Sequence, residues 1–419
     1  MVKAEKKKLH LVKNGDRDIA GLPFAEKQAR LRDLTGKRKM DVILTDPDAR
    51  RLTAAMQPQE LYRLIKGVGE EDALELIELA SGPQCVFMLD MELWDGYNFS
   101  DDRAHKWLTY FVEGGEARFH ELLKHLDFEF LLLFLSRELV VHGGIGDLAH
   151  DEERLVDHDF TFDDVFYLTF KNQQHSQVVG AFLSLLIKVD RPLYVSLMEE
   201  VKGSLDVELE EESRRFRDGR LHDLGFPPLE EALSIYSRVD PASFRLFGDK
   251  EELSVTESTA LVPVSLGHDT LLYRALSRAG SEALLQEFNY LVNSALVAEG
   301  TALADIESAT SVMERVAGYL NIALEQVSGG DEGEAVRVLS TERLKRLFQL
   351  GYSLVLELKF RADQVESTDY PSGKAIAGLR GKRPRYYRGF DPDGVDGYRE
   401  FRDLNDLRAA VAFLKNLQG

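Results

Sequence analysis

The sequence predicts an all-α protein, and two observations support this prediction. Apolar residues recur three and four positions apart along much of the 419-residue chain, the spacing of one face of an amphipathic helix. Within residues 58–141, three such stripes are followed by three more at a constant step of 46 residues. A step of this length is typical of stacked helical units that cover one another's apolar faces. We therefore expect a superhelical helix-repeat domain followed by a second helical domain.

The repeat is defined by apolar positions and by glycines in the turns. The matched pairs are Leu61 with Trp107, Leu76 with Leu122, Leu93 with Leu139 and Gly69 with Gly115. A third, more degenerate copy is predicted around Val179 and Leu186, after a carboxylate-rich insertion. Between them, residues 160–170 are β-prone and could pair as a short strand.

Composition divides the chain into three parts. Residues 1–40 carry twelve basic and five acidic side chains, so we expect a basic flexible tail, either folded onto the acidic body or solvated. Residues 41–247 are expected to form the repeat-like N-terminal domain. Residues 259–419 are expected to form the C-terminal helical domain, with a basic loop at 371–390. The boundary is placed in residues 248–258, which are polar and lack an apolar stripe.

Charge and cysteine content exclude several classes of protein. The formal charge of −20 argues against wholesale nucleic-acid binding, which needs concentrated Lys and Arg. The single cysteine, Cys85, excludes an internal disulfide, and its apolar neighbours predict a buried thiol in a reducing cytoplasm. The most apolar segment, residues 128–141, is too short and too charged to span a bilayer. With no secretory signal visible, we expect a cytoplasmic protein without a membrane span.

One candidate ligand site lies in residues 214–231, where Arg, His, Asp and Glu surround two glycines and two prolines. Guanidinium groups beside a helix N-terminus at Pro228 would suit a small anionic ligand. The alternative is a salt-bridge network between helices. The candidate ligand-binding residues are Arg214, Arg217, Arg220 and His222.

A second candidate is the basic loop, which has no acidic residue between Pro371 and Phe390. Its cations alternate with aromatic rings on which bases could stack, as a nucleic-acid or phosphate site requires. The alternative is that this loop docks onto the acidic body of the protein. The candidate residues are Lys382, Arg383, Arg385, Tyr386, Tyr387 and Arg388.

Other patterns fall short of a metal or nucleotide site. His120 and His125 are five residues apart, about 140° round a helix, so a shared metal is disfavoured. The acidic segment 150–164 has no fixed ligand spacing, and aspartates 391, 393 and 396 miss the register of a calcium loop. Residues 144–149, GIGDLA, lack the βαβ context of a dinucleotide fingerprint. We expect no metal and no cofactor.

Two resemblances follow from these segments. PQELYRLIKGVGEEDALELIELA, with its proline starts and Glu-rich second helix, resembles the cytosolic N-terminal superhelix of MgtE-type magnesium transporters, which implies a superhelical fold for residues 41–141. Over most of the chain, RRFRDGRLHDLGFPPLEEALSIY, VSGG and KRPRYYRGFD are similar to an uncharacterised bacterial family of unknown function. That similarity implies no catalytic residues, because none are established for the family.

The leading functional hypothesis is a protein-interaction or regulatory scaffold, because stacked helices present an extended concave face to partner helices or tails. One alternative is a ligand-binding protein or enzyme that uses the arginines of residues 214–231. The other is a nucleic-acid-associated protein that uses the two basic segments. No catalytic motif favours an enzyme, and the partner that we expect is another protein.

Overall fold

The computed structural model describes residues 19, 21–96, 98–145, 158–203, 206–248, 250, 269–301, 305–366 and 369–418. Within them the chain is all-α, as predicted, with twenty α-helices and seven short strands. It divides into two compact units, Met1–Gly219 and Arg220–Gly419. The boundary predicted at 248–258 lies mostly outside the described residues and stays a prediction.

Twelve helices and five strands are described in the first unit, the last helix continuing into the second. The helices are α1 (Phe24–Arg32), α2 (Gly36–Thr45), α3 (Ala49–Ala54), α4 (Pro58–Val68), α5 (Leu74–Leu79), α6 (Gly82–Glu92), α7 (Asp101–Glu113), α8 (Glu116–Leu123), α9 (Phe128–Glu138), α10 (Ser176–Val189), α11 (Arg191–Gly203) and α12 (Asp206–Asp223). The strands are β1 (Trp94–Asp95), β2 (Asn98–Phe99), β3 (Leu139–Gly143), β4 (Phe160–Thr161) and β5 (Phe166–Phe170).

The two predicted copies of a three-helix unit are present, as α4–α5–α6 and α7–α8–α9. Both ends of α9, at 128 and 138, lie 46 residues after the ends of α6, at 82 and 92. The second helices of the two copies, α5 and α8, also have the same burial pattern. In residues 75–78 and in residues 121–124 the outer two side chains are exposed and the inner two are buried. Helices α5 and α6 of the first copy pack on α7 of the second, so the copies cover each other's apolar faces.

Each copy ends in a short antiparallel pairing. β1 pairs with β2, and β3, β5 and β4 form a three-stranded sheet in that order. β4 and β5 confirm the strand predicted within residues 160–170. The β1–β2 hairpin was not predicted, although its two-residue loop begins at Gly96, whose φ of 61° is the left-handed value that tight hairpin turns require at this position. Trp94 and Phe99 pair across it, with ring centroids 5.3 Å apart.

The structure differs from the predicted flexible tail in residues 24–40, which form α1 and the first half of α2. Leu31 and Met40 are buried, so these helices have an apolar face. Lys27 is also buried, and its Nζ contacts Asp46 at 2.8 Å and Asp48 at 3.0 Å. Part of the basic charge is therefore paired within the fold. Residues 1–18 and residue 20 lie outside the described part of the chain.

Cys85 on α6 is a buried thiol, as predicted. The Nη2 group of Arg118 donates a hydrogen bond to its Sγ at 2.9 Å. Burial raises the pKa of the thiol to about 11, and the opposing effect of Arg118 is smaller. A buried thiol with this pKa is protonated at neutral pH and is a poor nucleophile.

The second unit contains α13 (Leu229–Leu233), α14 (Leu271–Ala279), α15 (Glu282–Glu299), α16 (Ile306–Ser328), α17 (Glu332–Thr341), α18 (Leu344–Ala362), α19 (Tyr370–Arg380) and α20 (Leu404–Gln418). Strands β6 (Tyr386–Tyr387) and β7 (Tyr398–Arg399) form an antiparallel pair. The central contact is between α16 and α18. A Cβ atom at Gly351 on α18 would lie 1.9 Å from the carbonyl oxygen of Tyr319 on α16, so only glycine allows this approach.

Candidate functional site

The arginines predicted to bind a ligand on α12 have partners within the protein. Arg214 pairs with Glu211 at 2.7 Å and with Asp218 at 3.0 Å. Arg217 is buried, and its Nε donates to the carbonyl oxygen of Asp90 on α6 at 2.7 Å. These contacts are those of a salt-bridge and hydrogen-bond network that fixes a helix.

The last turn of α12 holds the other two predicted residues. Arg220 is half-buried there and His222 is exposed. The anion site of Arg214, Arg217, Arg220 and His222 stays a prediction.

The basic loop contacts carboxylates of its own unit. Arg383 lies 3.2 Å from Glu299 and Arg385 lies 3.5 Å from Glu400, while Arg388 pairs with Asp393 at 3.2 Å. Lys382 is exposed. This arrangement matches the alternative interpretation, docking of the loop onto acidic side chains.

The two tyrosines of the loop lie inside the fold. Tyr386 and Tyr387 form β6 and are 3% and 8% exposed. The guanidinium of Arg399 covers the ring of Tyr386 at 3.9 Å from its centroid. Neither ring is free to stack on a base, so these contacts do not support the predicted nucleic-acid surface.

The second unit contains an ionic group that we call the Arg315 cluster, formed by the buried side chains of Arg315, Glu299 and Glu400 with the half-buried Arg383 and the exposed Arg385. Arg315 donates from Nε and Nη2 to the carboxylate of Glu400, at 2.9 and 3.0 Å, and from Nη1 to Glu299. Burial lowers the pKa of Arg315, but the hydrogen bonds and charges of the two glutamates outweigh it and raise that pKa. The cluster joins α15, α16, the segment after β7 and the basic loop.

Three tyrosines lie beside this cluster. The ring of Tyr352 lies 5.1 Å from that of Tyr236 and 6.1 Å from that of Tyr319. Tyr236 donates its hydroxyl to Glu299. Tyr319 is fully buried, and its hydroxyl has no hydrogen-bond partner among the described residues. Burying a hydroxyl without a hydrogen-bond partner costs free energy, so Tyr319 is a destabilising feature of this part of the core.

The first unit contains a separate cluster of titratable side chains. Its centre is formed by Glu138, at the end of α9, and His175, just before α10. The Nδ1 nitrogen of His175 lies 2.9 and 3.1 Å from the two oxygens of the Glu138 carboxylate. The ring of His105 on α7 stacks on that of His175, with centroids 3.9 Å apart. Nε2 of His175 faces the exposed Asp102 at 3.8 Å. Burial raises the pKa of Glu138, partly offset by His175.

The repeat gives this carboxylate a structural interpretation. Glu138 occupies the position that Glu92 holds in the first copy, 46 residues earlier. Glu92 is buried too, and it accepts a hydrogen bond of 2.6 Å from Tyr62 and contacts Lys66 at 2.9 Å. Each copy therefore buries one partnered glutamate at the end of its third helix. The same step that revealed the repeat could have found this pair from the sequence.

We expect acidification to destabilise the first unit through His105. Burial, followed by the charge of His175, lowers the pKa of His105 from 6.5, so the unfolded chain binds a proton more readily than the folded one. Stability should therefore fall as pH decreases below about 6.5. In His105→Phe, which keeps a stackable ring, the urea midpoint should fall less between about pH 7.5 and about pH 5.5 than in the wild type.

Tryptophan fluorescence measures this effect, because Trp94 and Trp107 both lie in the first unit. The raised pKa of Glu138 acts with the opposite sign, since its folded form holds a proton above the pH at which the unfolded glutamate loses it. That contribution is present in both proteins, so it is removed by the comparison. Equal losses in the wild type and His105→Phe would show that His105 is not responsible.

The remaining motifs have structural contacts where they are described. Asp163 accepts hydrogen bonds from the backbone of Val165 and Phe166, each at 3.1 Å, and Asp391 pairs with Arg399 at 2.7 Å. Residues 146–157, which include Gly146–Ala149, His150, Asp151 and Asp157, lie outside the described part. Among the residues that the structure describes, no group of three or more His, Cys, Asp or Glu is placed to hold a metal ion.

Comparison with known proteins identifies the family. The model of a family of unknown function, DUF6178, matches residues 16–419. The chain belongs to this family. No curated protein and no solved structure matches the DUF6178 chain. The predicted resemblance to a family of unknown function is therefore confirmed by the family model, whereas the resemblance to MgtE-type transporters is not supported. Within its described residues, no helix combines the length and apolarity needed to cross a membrane.

Proposed function

We propose that this DUF6178 protein is a cytoplasmic helical scaffold that binds a partner protein through a superhelical N-terminal unit. The observation that supports this proposal is the three-helix unit that occurs twice, as α4–α5–α6 and α7–α8–α9, with equivalent residues 46 positions apart. Repeated helical units place equivalent side chains at regular intervals on one surface, which suits an extended partner segment.

The contacts of the candidate charged residues favour the same interpretation over the two alternatives. Arg214, Arg217, Arg383 and Arg385 all contact carboxylate or carbonyl oxygens of the protein. Tyr386 and Tyr387 are buried. These side chains hold helices and a loop in place, so a partner would meet the remaining exposed surface, for which equivalent positions of the repeat are the natural choice.

The test places a photoreactive amino acid at two equivalent exposed positions, Glu75 on α5 and Glu121 on α8. In cells that produce these variants, both positions are expected to cross-link to the same protein, because the proposal assigns one partner to the repeated surface. Arg337 on α17, whose side chain is 57% exposed, is the matched control in the other unit and is expected to give no such adduct.

Two results would contradict the proposal: no reproducible adduct from either repeat position, or the same adducts from Arg337. Fractionation of the same cells tests the compartment, and the proposal expects the protein in the cytoplasmic fraction.

A further inference from the structure

The helices that follow the second copy have its pattern of buried residues. Seven buried residues of α7 and α8 each have a buried counterpart 75 positions later, on α10 or α11. The pairs are Ala104 with Val179, Trp107 with Phe182, Leu108 with Leu183, Phe111 with Leu186, Phe119 with Tyr194, Leu122 with Leu197 and Leu123 with Met198. This match indicates that α10 and α11 have the same inward faces as α7 and α8.

The packing between helices repeats as well. In the first two copies, α5 packs on α7 and α6 packs on α8. In the same way, α8 packs on α10 and α9 packs on α11. Helices α5, α8 and α11 therefore occupy equivalent places. Glu75, Glu121 and Ser196 are exposed at matching positions on these three helices.

The three helices differ in charge. Residues 71–79, which are α5 and the turn before it, carry four carboxylates and no cation, whereas α8 has a net charge of −1 and α11 a net charge of zero. The exposed carboxylates of Glu71, Glu75 and Glu78 form no ion pair with any described residue. On α8, by contrast, Glu116 pairs with Lys188 and Glu121 with Lys124. Uncompensated negative charge is thus concentrated at the α5 end of the series.

Cations on the neighbouring helices have other partners. Lys66 and Lys106 contact Glu70 at 2.6 and 2.5 Å, and Arg118 donates to Sγ of Cys85 at 2.9 Å. A pocket of about 510 Å³ lies beside residues 71–79, between the first two copies. It is lined by Lys66, Gly69, Glu70, Glu71, Asp72 and Lys106. A long basic side chain has room there to approach the carboxylate of Glu71.

We propose that the partner surface extends over a third unit that begins with α10 and α11, and that the partner places a Lys- or Arg-rich end at α5. This inference rests on the scaffold function proposed above, and it adds the extent of the surface and the charge of the partner. Exposed carboxylates without ion-pair partners attract a basic segment. Because the charge falls from α5 to α11, it also fixes the direction in which the segment lies.

The extent of the surface is tested with the photoreactive amino acid at Ser196, in the same cells. Ser196 is expected to form an adduct with the protein that Glu75 and Glu121 capture, whereas Arg337 again gives none. Mass spectrometry of the adducts then locates the contacts in the partner. The Glu75 adduct should lie in a stretch rich in Lys or Arg, and the Ser196 adduct outside that stretch.

The charge of the partner is tested by combining Glu71→Gln, Glu75→Gln and Glu78→Gln, with the photoreactive amino acid at Glu121. The yield of the partner adduct should fall by about threefold or more, because three charge pairs are lost while every side chain keeps its size. The matched control makes the same change at three exposed glutamates of the second unit and should leave the yield unchanged. These substitutions are Glu282→Gln, Glu307→Gln and Glu314→Gln. Circular dichroism checks that both variants are folded.

The outcomes separate this inference from the proposed function. Adducts from Glu75 and Glu121 without one from Ser196 would overturn the inference and leave the proposed function intact. An unchanged yield in the folded α5 variant, or a fall of equal size in the control, would do the same. Absence of a reproducible adduct from Glu75 and Glu121 would overturn the proposed function and this inference together.

Discussion

Replacing Arg315 with methionine is expected to lower the free energy of unfolding of the second unit by about 3–5 kcal/mol. The side chains of Glu299 and Glu400 are 6% and 3% exposed, and Arg315 makes hydrogen bonds to both. Methionine fills much of the volume but leaves two buried carboxylates without their shared cation, while Arg383 and Arg385 supply only longer contacts. Urea unfolding measures the loss: far-ultraviolet circular dichroism reports on the helices of both units, and tryptophan fluorescence, which reports on the first unit alone because both tryptophans lie there, identifies the part of the change that belongs to the second unit.

A matched substitution at an exposed arginine separates the effect of losing a buried cation from the effect of losing a positive charge alone. Arg337 forms an exposed ion pair with Glu334 on α17, so Arg337→Met should cost no more than about 1 kcal/mol. Adding Glu299→Gln and Glu400→Gln to Arg315→Met should recover part of the stability, because no uncompensated buried charge remains. A loss in Arg315→Met as small as that of Arg337→Met would mean that the cluster does not stabilise the unit.

The part of the fold that could be predicted from the sequence is the part that local patterning determines. Leu76 with Leu122, and Leu93 with Leu139, revealed the repeated helices because burial of a helix face imposes a period on nearby residues. The strand within residues 160–170 was predictable for a similar reason, since β-prone side chains are contiguous there.

The Arg315 cluster could not be predicted, because its members are far apart in sequence. Arg315 and Glu400 are separated by 85 positions, and with 52 basic and 72 acidic residues the chain offers many other pairings. The burial of the loop tyrosines could not be predicted for a related reason. Tyr386 and Tyr387 lie in a segment without periodicity, and their rings are buried by contacts such as the pairing of β6 with β7 and the ring of Phe401.

The flexible tail predicted for residues 1–40 shows that the net charge of a segment does not reveal its local structure. The net charge of residues 1–40 suggests a flexible tail, but Lys39, which contributes to that charge, pairs at 2.6 Å with Glu60 on α4, the first helix of the repeat. Leu31 and Met40 supply the apolar contacts that the charge count does not register. Together with the burial of Val42 and Ile43 on α2 and the pairing of Lys27 and Lys39, these contacts pack α1 and α2 into the fold.

Replacing Gly351 with alanine is expected to destabilise the second unit by about 3 kcal/mol, the upper end of the usual cost of overpacking. The added Cβ would lie 1.9 Å from the carbonyl oxygen and 2.6 Å from the carbonyl carbon of Tyr319. These are backbone atoms inside α16, so no side-chain rotation relieves the overlap, and α16 and α18 must move apart. The gain of about 1 kcal/mol that alanine brings to a helix interior offsets only part of this cost.

Gly180 on α10 is the control that separates the contact from helix propensity. It also lies within a helix, but a Cβ there meets no atom within 4 Å, so Gly180→Ala should leave stability unchanged or raise it by up to about 1 kcal/mol. Circular dichroism follows the helices of both units, and tryptophan fluorescence follows the first unit alone, so the two signals together assign the effect of Gly351→Ala to the second unit and that of Gly180→Ala to the first. If both substitutions stabilise the chain equally, the close approach of α18 to Tyr319 does not constrain this position, and the packing of α16 on α18 must tolerate a side chain there.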